Sequence, residues 1–138
     1  MNQELVNLIG KFNTAQVKAV DILENKFNCP RPSSTDDYIV RCVPIIRNAN
    51  YESYGYKIRP HGIGMEIYIE GEIVDFDFGQ NGEFNGFDAW RLMEFVNNNK
   101  ISTSLDAEEK IETAINEALV SGEIVKGDGM GNVHYVNS

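Results

Sequence analysis

Between Tyr54 and Phe78 the chain alternates apolar and polar residues in three successive runs. That period of two constrains the fold more than any other feature of the sequence. Tyr54, Tyr56 and Ile58 alternate with Lys57 and Arg59. Met65, Ile67 and Ile69 alternate with Glu66, Tyr68 and Glu70, and Val74, Phe76 and Phe78 with Asp75 and Asp77. Each run predicts a strand with one face on a core and the other in water. Glu70-Gly71-Glu72 suits a tight hairpin, because glycine reaches positive φ without steric cost. The spacing therefore predicts an antiparallel meander of Tyr54–Arg59, Met65–Glu70 and Glu72–Phe78.

Around this meander the apolar period changes to that of a helix. Leu5, Leu8, Ile9, Phe12, Ala15, Ala19, Ile22, Leu23 and Phe27 recur at three- and four-residue spacing, which predicts one amphipathic helix over residues 3–27. Lys11, Lys18, Asp21, Glu24 and Lys26 fall between them, toward water. Cys29-Pro30-Arg31-Pro32 ends that helix, since proline cannot continue it. Ser33 to Asp37 offers N-caps and acids suited to a helix start. Tyr38 to Val43 then reads as a short helix closed by Pro44, although the apolar run to Ile46 can equally be a buried strand. Asn48 to Ser53 reads as a loop.

After turn clusters at Gly79-Gln80-Asn81-Gly82 and Asn85-Gly86, a third helix is predicted from Phe87 to Asn98, with Trp90 as a core anchor between helix and sheet. A fourth begins near Ser104, with Asp106, Glu108 and Glu109 in its first turn and Gly122 as its stop. Glu123–Lys126 and Asn132–Val136 form a small hairpin about Gly127-Asp128-Gly129-Met130-Gly131. The expected fold is α+β: a central antiparallel meander of three or more strands packed by about four helices, with a small C-terminal hairpin. At 138 residues it is one domain spanning 1–138.

Charge restricts function. The net charge is −9, and Glu66 to Glu94 carries most of it: eight acids against the single base Arg91, a net −7. A concentrated negative field disfavours nucleic acid, whose recognition needs the opposite sign. It favours a basic protein partner, because complementary charge speeds encounter and rejects wrong partners. No apolar run approaches the roughly 20 residues that cross a bilayer, and MNQELVNLIGKF lacks a secretory leader. Two cysteines, Cys29 and Cys42, are too few for a disulfide framework. The expected location is the cytoplasm, without a membrane partner.

Three features invite chemistry. His61, in His61-Gly62-Ile63-Gly64, can act as an acid/base group or a metal ligand beside Asp75 and Asp77. The alternative is structural: the glycines permit a bend and the imidazole hydrogen-bonds the backbone. Asp75 and Asp77 lie two apart on a strand, so their carboxylates share a side. That spacing can hold a divalent cation or meet a partner's arginine, or it can simply be a solvated face. The Gly127–Gly131 loop joins two strands, whereas a phosphate cradle needs a helix N-terminus after its glycines. His134, in the C-terminal strand, is not assigned to a metal site.

His61-Gly62-Ile63-Gly64, Val74-Asp75-Phe76-Asp77-Phe78-Gly79 and Gly86-Phe87-Asp88-Ala89-Trp90-Arg91-Leu92 together resemble a bacterial family catalogued as a domain of unknown function. That family has an HGxG element, a DFxFG strand and a GFDxWRL helix start. The match covers about 35 residues near the centre of the chain. The resemblance implies a small protein encoded beside polymorphic or contact-dependent toxins, and hence an immunity role. Many members of that family carry a cysteine after the second glycine, where this chain has Met65, so any function of that cysteine is absent here.

The expectation is therefore an immunity protein, not an enzyme, that binds a basic cognate toxin such as a nuclease through Glu66, Glu70, Glu72, Asp75 and Asp77. No catalytic residue, cofactor or metal is assigned. The alternatives are a small hydrolase-like or metal-binding enzyme using His61 with Asp75 or Asp77, and a generic interaction module. The sequence carries no signal for an oligomeric state.

Overall fold

The meander is present in the computed structural model, which describes residues 1–48, 57–61, 64–69, 72–77, 86–127 and 131–136. Strands β1 (Lys57–His61), β2 (Gly64–Ile69) and β3 (Glu72–Asp77) pair antiparallel in the order β1-β2-β3. Register groups the residues as the alternation requires. One set of rows is Ile58↔Ile67↔Val74 and Pro60↔Met65↔Phe76; the interleaved set includes Arg59↔Glu66↔Asp75 and His61↔Gly64↔Asp77. Because successive residues on a strand alternate faces, the first set shares one face and the second set the other. Val74, in the apolar set, is 2% exposed. β1 runs two residues beyond Arg59, so His61 lies inside the strand. Tyr54, Tyr56, Glu70 and Phe78 lie outside the described residues.

Two compact units make up the chain, one of Met1–Thr14 with Gly82–Ser138 and one of Ala15–Asn81. Helix α1 (Gln3–Lys26) gives its first half to the former and its second half to the latter. Most of its apolar stripe is buried as the spacing predicts: Leu5, Leu8, Ile9, Phe12, Ala19 and Leu23 are at most 2% exposed, Val20 and Gln16 join them, and Ala15 and Ile22 are half-buried, while Phe27 falls just past the helix. The helix ends where Asn28 takes a left-handed φ of 53° and the Cys29 N–H donates back to the Leu23 carbonyl at 3.0 Å. Asparagine tolerates that region better than most residues, and Pro30 then prevents further helix.

The segment after Pro32 is helical, which decides between the two readings of Tyr38 to Ile46. It comprises α2 (Thr35–Asp37), a π-helical turn (Tyr38–Cys42) and α3 (Val43–Asn48). The Ser34 hydroxyl accepts from the Asp37 N–H at 3.1 Å, while the Asp37 carboxylate accepts from the Ser33 N–H at 2.7 Å, reciprocal capping of a helix start. Asp37 also forms an ion pair with Arg41 one turn on, and these bonds hold its carboxyl well below the usual range. Pro44 does not close this segment; it lies in the first turn of α3. A proline ring collides with the carbonyl four residues back, here Val40, and the widened turn that contains Val40 gives the ring room.

In the other unit a second sheet forms that alternation alone did not predict. The triplet β4 (Gly86–Asp88) pairs with β6 (Asn132–Tyr135), which pairs with β5 (Ile124–Lys126), giving the order β4-β6-β5. The C-terminal hairpin is as predicted, but Gly86-Phe87-Asp88 are strand and not the first turn of a helix. Gly86 is needed there, since a Cβ on it would collide with the Val133 carbonyl of the paired strand. Helix α4 (Ala89–Asn98) begins after Asp88, whose side chain accepts from the Arg91 N–H at 3.0 Å. It ends with Lys100 at φ 51°, where Lys100 N–H donates to the Asn97 carbonyl and Ile101 N–H to the Val96 carbonyl.

Helix α5 (Glu108–Ser121) starts later than Ser104. The Thr103 hydroxyl accepts from the Leu105 N–H at 3.0 Å, a local turn that competes with helix in the residues just before it. Gly122 ends α5 at φ 81°. Leu92, Phe95, Ile111, Ile115, Ile124 and Val133 are buried in this unit with the first half of α1.

Candidate functional site

Register divides the five predicted carboxylates. Glu66 on β2 pairs with Asp75 on β3, and Asp77 follows two residues along, so these three share the face opposite Ile67, Val74 and Phe76. Glu72 pairs with Ile69 and falls in step with Val74 and Phe76, on the other face. Glu70 is outside the described residues. The same alternation puts Lys57, Arg59 and His61 of β1 on the carboxylate face, with Arg59 opposite Glu66 and His61 opposite Gly64. The face is thus graded across three strands: basic residues on β1, acids on β2 and β3.

Trp90 is not a core anchor. It is 53% exposed, because α4 turns Ala89, Leu92, Phe95 and Val96 inward, and Trp90 falls outside that stripe. With Met93, one turn on, it lines a groove of about 520 Å³ bordered by α5 and the β5–β6 hairpin. Glu108, Glu112 and Leu119 of α5 lie along one wall, and Lys126 and Val133 on the hairpin side. A second hollow of about 310 Å³ shares Trp90, Met93 and Glu108 and adds Glu94 and Asp106. Asp106 pairs with Lys110 at 3.0 Å, whereas Glu108 and Glu112 form no ion pair among the described residues. An exposed tryptophan one residue off the buried stripe was within reach of the sequence, because it follows from helical phase once the helix start is known.

Other candidates are structural. His134, on β6, packs so closely over Gly127 that a Cβ there would overlap the imidazole, which explains glycine at the hairpin's first loop position. Cys29 and Cys42 are both buried free thiols, and Cys42 Sγ lies 3.0 Å from the Pro30 carbonyl oxygen that Cys29 Sγ approaches at 3.9 Å. Burial and the neighbouring Cys42 push the Cys29 thiol up to about 12, which keeps it a poor nucleophile at neutral pH. Among the described residues no cluster of three or more His, Cys, Asp and Glu could hold a metal ion. Nor, among them, is any helix long and apolar enough to cross a membrane.

A family model described as a domain of unknown function, DUF6896, matches residues 5–135. The chain belongs to that family. The DUF6896 match runs through both compact units and takes in the meander, the Trp90 groove and the C-terminal hairpin alike. No curated protein and no solved structure matches the chain significantly.

Proposed function

We propose that this DUF6896 protein is a cytoplasmic immunity protein that neutralises a cognate toxin by binding it, without catalysis. The observation that carries the reading is the register of Glu66 against Asp75, with Asp77 in step. It supports a compact negative surface on β2 and β3 suited to lysines and arginines of a partner. Many delivered toxins are nucleases with basic active sites, and an acidic inhibitor can occupy the path of the nucleic acid. Close charge pairs in such interfaces couple by about 1.5–7 kcal/mol. Glu70, four residues after Glu66, completes the proposed set of partner-binding residues, whereas Glu72, in step with Val74 and Phe76, drops out of it. The resemblance through His61–Gly64, Val74–Gly79 and Gly86–Leu92 supplies the toxin context.

Co-expression with the product of the adjacent gene, followed by affinity measurement, tests the proposal. The Asp75→Lys/Asp77→Lys variant should bind more than about tenfold more weakly. Unchanged affinity would remove the patch from the interface, and failure of the two products to co-purify would remove the immunity reading. One observation favours a second reading: His61 and Asp77 stand in a single register row on either side of Gly64, whose position carries no side chain. A small metal-dependent enzyme would use that row. A rise in melting temperature with divalent cations, lost in His61→Ala, would favour it over the first.

A further inference from the structure

We infer that the groove beside Trp90 is a docking site for an arginine-bearing peptide segment, in which a guanidinium lies over the exposed indole and pairs with Glu108 and Glu112. The groove shares no residue with the carboxylate face of the meander, and the inference does not depend on the toxin reading.

Three observations converge on it. The first is aromatic exposure: Trp90 is half exposed and lines a groove whose apolar lining includes Met93, Ile115, Leu119 and Val133. Tryptophan in such a setting is the residue most often found to anchor a partner, and it is the best aromatic acceptor for a cation. The second is unpaired carboxylate charge. Glu108 and Glu112 stand one turn apart on α5, both line the groove, and neither forms an ion pair among the described residues. Nearby Asp106, by contrast, is paired with Lys110. The third is continuity: the smaller hollow shares Trp90, Met93 and Glu108 and adds the acid Glu94 to the residues around the indole.

Arginine fits this arrangement better than lysine. Its planar guanidinium can stack on an aromatic face while its fork of N–H donors meets carboxylates, whereas an ammonium is a compact, strongly hydrated point charge. Lys126, on the hairpin side of the groove, limits the positive charge the site accepts, which favours one or two arginines in an otherwise neutral segment over a polybasic run. The apolar lining accommodates the methylene stem of the arginine or a neighbouring aliphatic side chain.

Trp90 is the sole tryptophan, so its fluorescence reports the groove directly. The probe is a blocked Gly-Arg-Leu-Gly peptide, titrated to millimolar concentration into the full chain at low ionic strength, with its citrulline counterpart as the uncharged control. The expected result is a saturable change in Trp90 emission with the arginine peptide and none with citrulline. Glu108→Gln/Glu112→Gln should weaken it by about tenfold or more. Glu109→Gln/Glu117→Gln, which alters net charge equally elsewhere on α5, should leave it intact. Circular dichroism checks that both variants fold. The absence of a saturable response, an equal response to citrulline, or equal weakening by both double variants overturns the inference. Loss of toxin binding in the meander variants, with this titration unchanged, separates its fate from that of the proposed function.

Discussion

The rings of Phe12 and Phe95 pack with their centroids 5.2 Å apart at 38°, joining the first half of α1 to α4. Both side chains are at most 1% exposed. Each comes from a stripe written in the local sequence, but their meeting closes most of the chain into a loop. Phe12→Ala and Phe95→Ala should each cost about 3–5 kcal/mol in urea unfolding. The double variant should lose less than the sum of the two, by about 0.5–1.5 kcal/mol. Strict additivity would show that the rings do not share a contact in solution.

Two helices end in the same way with different residues. α5 places Gly122 at φ 81°, and α4 places Lys100 at φ 51°, each with paired N–H donors closing the last turn. A side-chain-bearing residue is strained in that region by about 1–2 kcal/mol, and glycine is not. Lys100→Gly should therefore raise the melting temperature, net of the added freedom it gives the unfolded chain, while Gly122→Ala should lower it. If both substitutions shift it the same way, the left-handed caps are not what ends these helices.

The buried thiols set an alkaline limit on stability. Burial, then the adjacent Cys42, raises Cys29 from an ordinary 9.0 to about 12. Between those values the unfolded chain has lost this proton and the folded protein has kept it. The contribution is therefore whole below about pH 9 and is lost as pH rises toward 12. Burial raises Tyr135 as well, so the comparison must be between variants. The fall in urea midpoint across this range should be shallower in Cys29→Ala than in the parent chain. At neutral pH, thiol reagents should react slowly with the folded protein and rapidly once it is unfolded. An equal alkaline slope in both proteins would contradict the account.

The sequence by itself determined the elements whose signal is local. The three alternating runs became β1–β3 in a register that keeps Glu66, Asp75 and Asp77 in step. Glu72, expected in the same patch, falls in step with Val74 and Phe76 instead. The stripe from Leu5 to Leu23 became α1, and Gly122 stopped α5. The rest of the fold depends on partners distant in the chain. Gly86-Phe87-Asp88 is too short to carry a period and is a strand only because β6 lies alongside it. Asp88 then becomes the cap, α4 starts at Ala89, and the groove lined by the exposed Trp90 takes its other lining from α5 and the hairpin, which no local pattern announces. Pro44 sits inside a helical segment because a π-helical turn makes room for its ring. Periodicity is a property of neighbours along the chain, whereas strand pairing and groove formation are properties of neighbours in space, and only the folded structure brings those together.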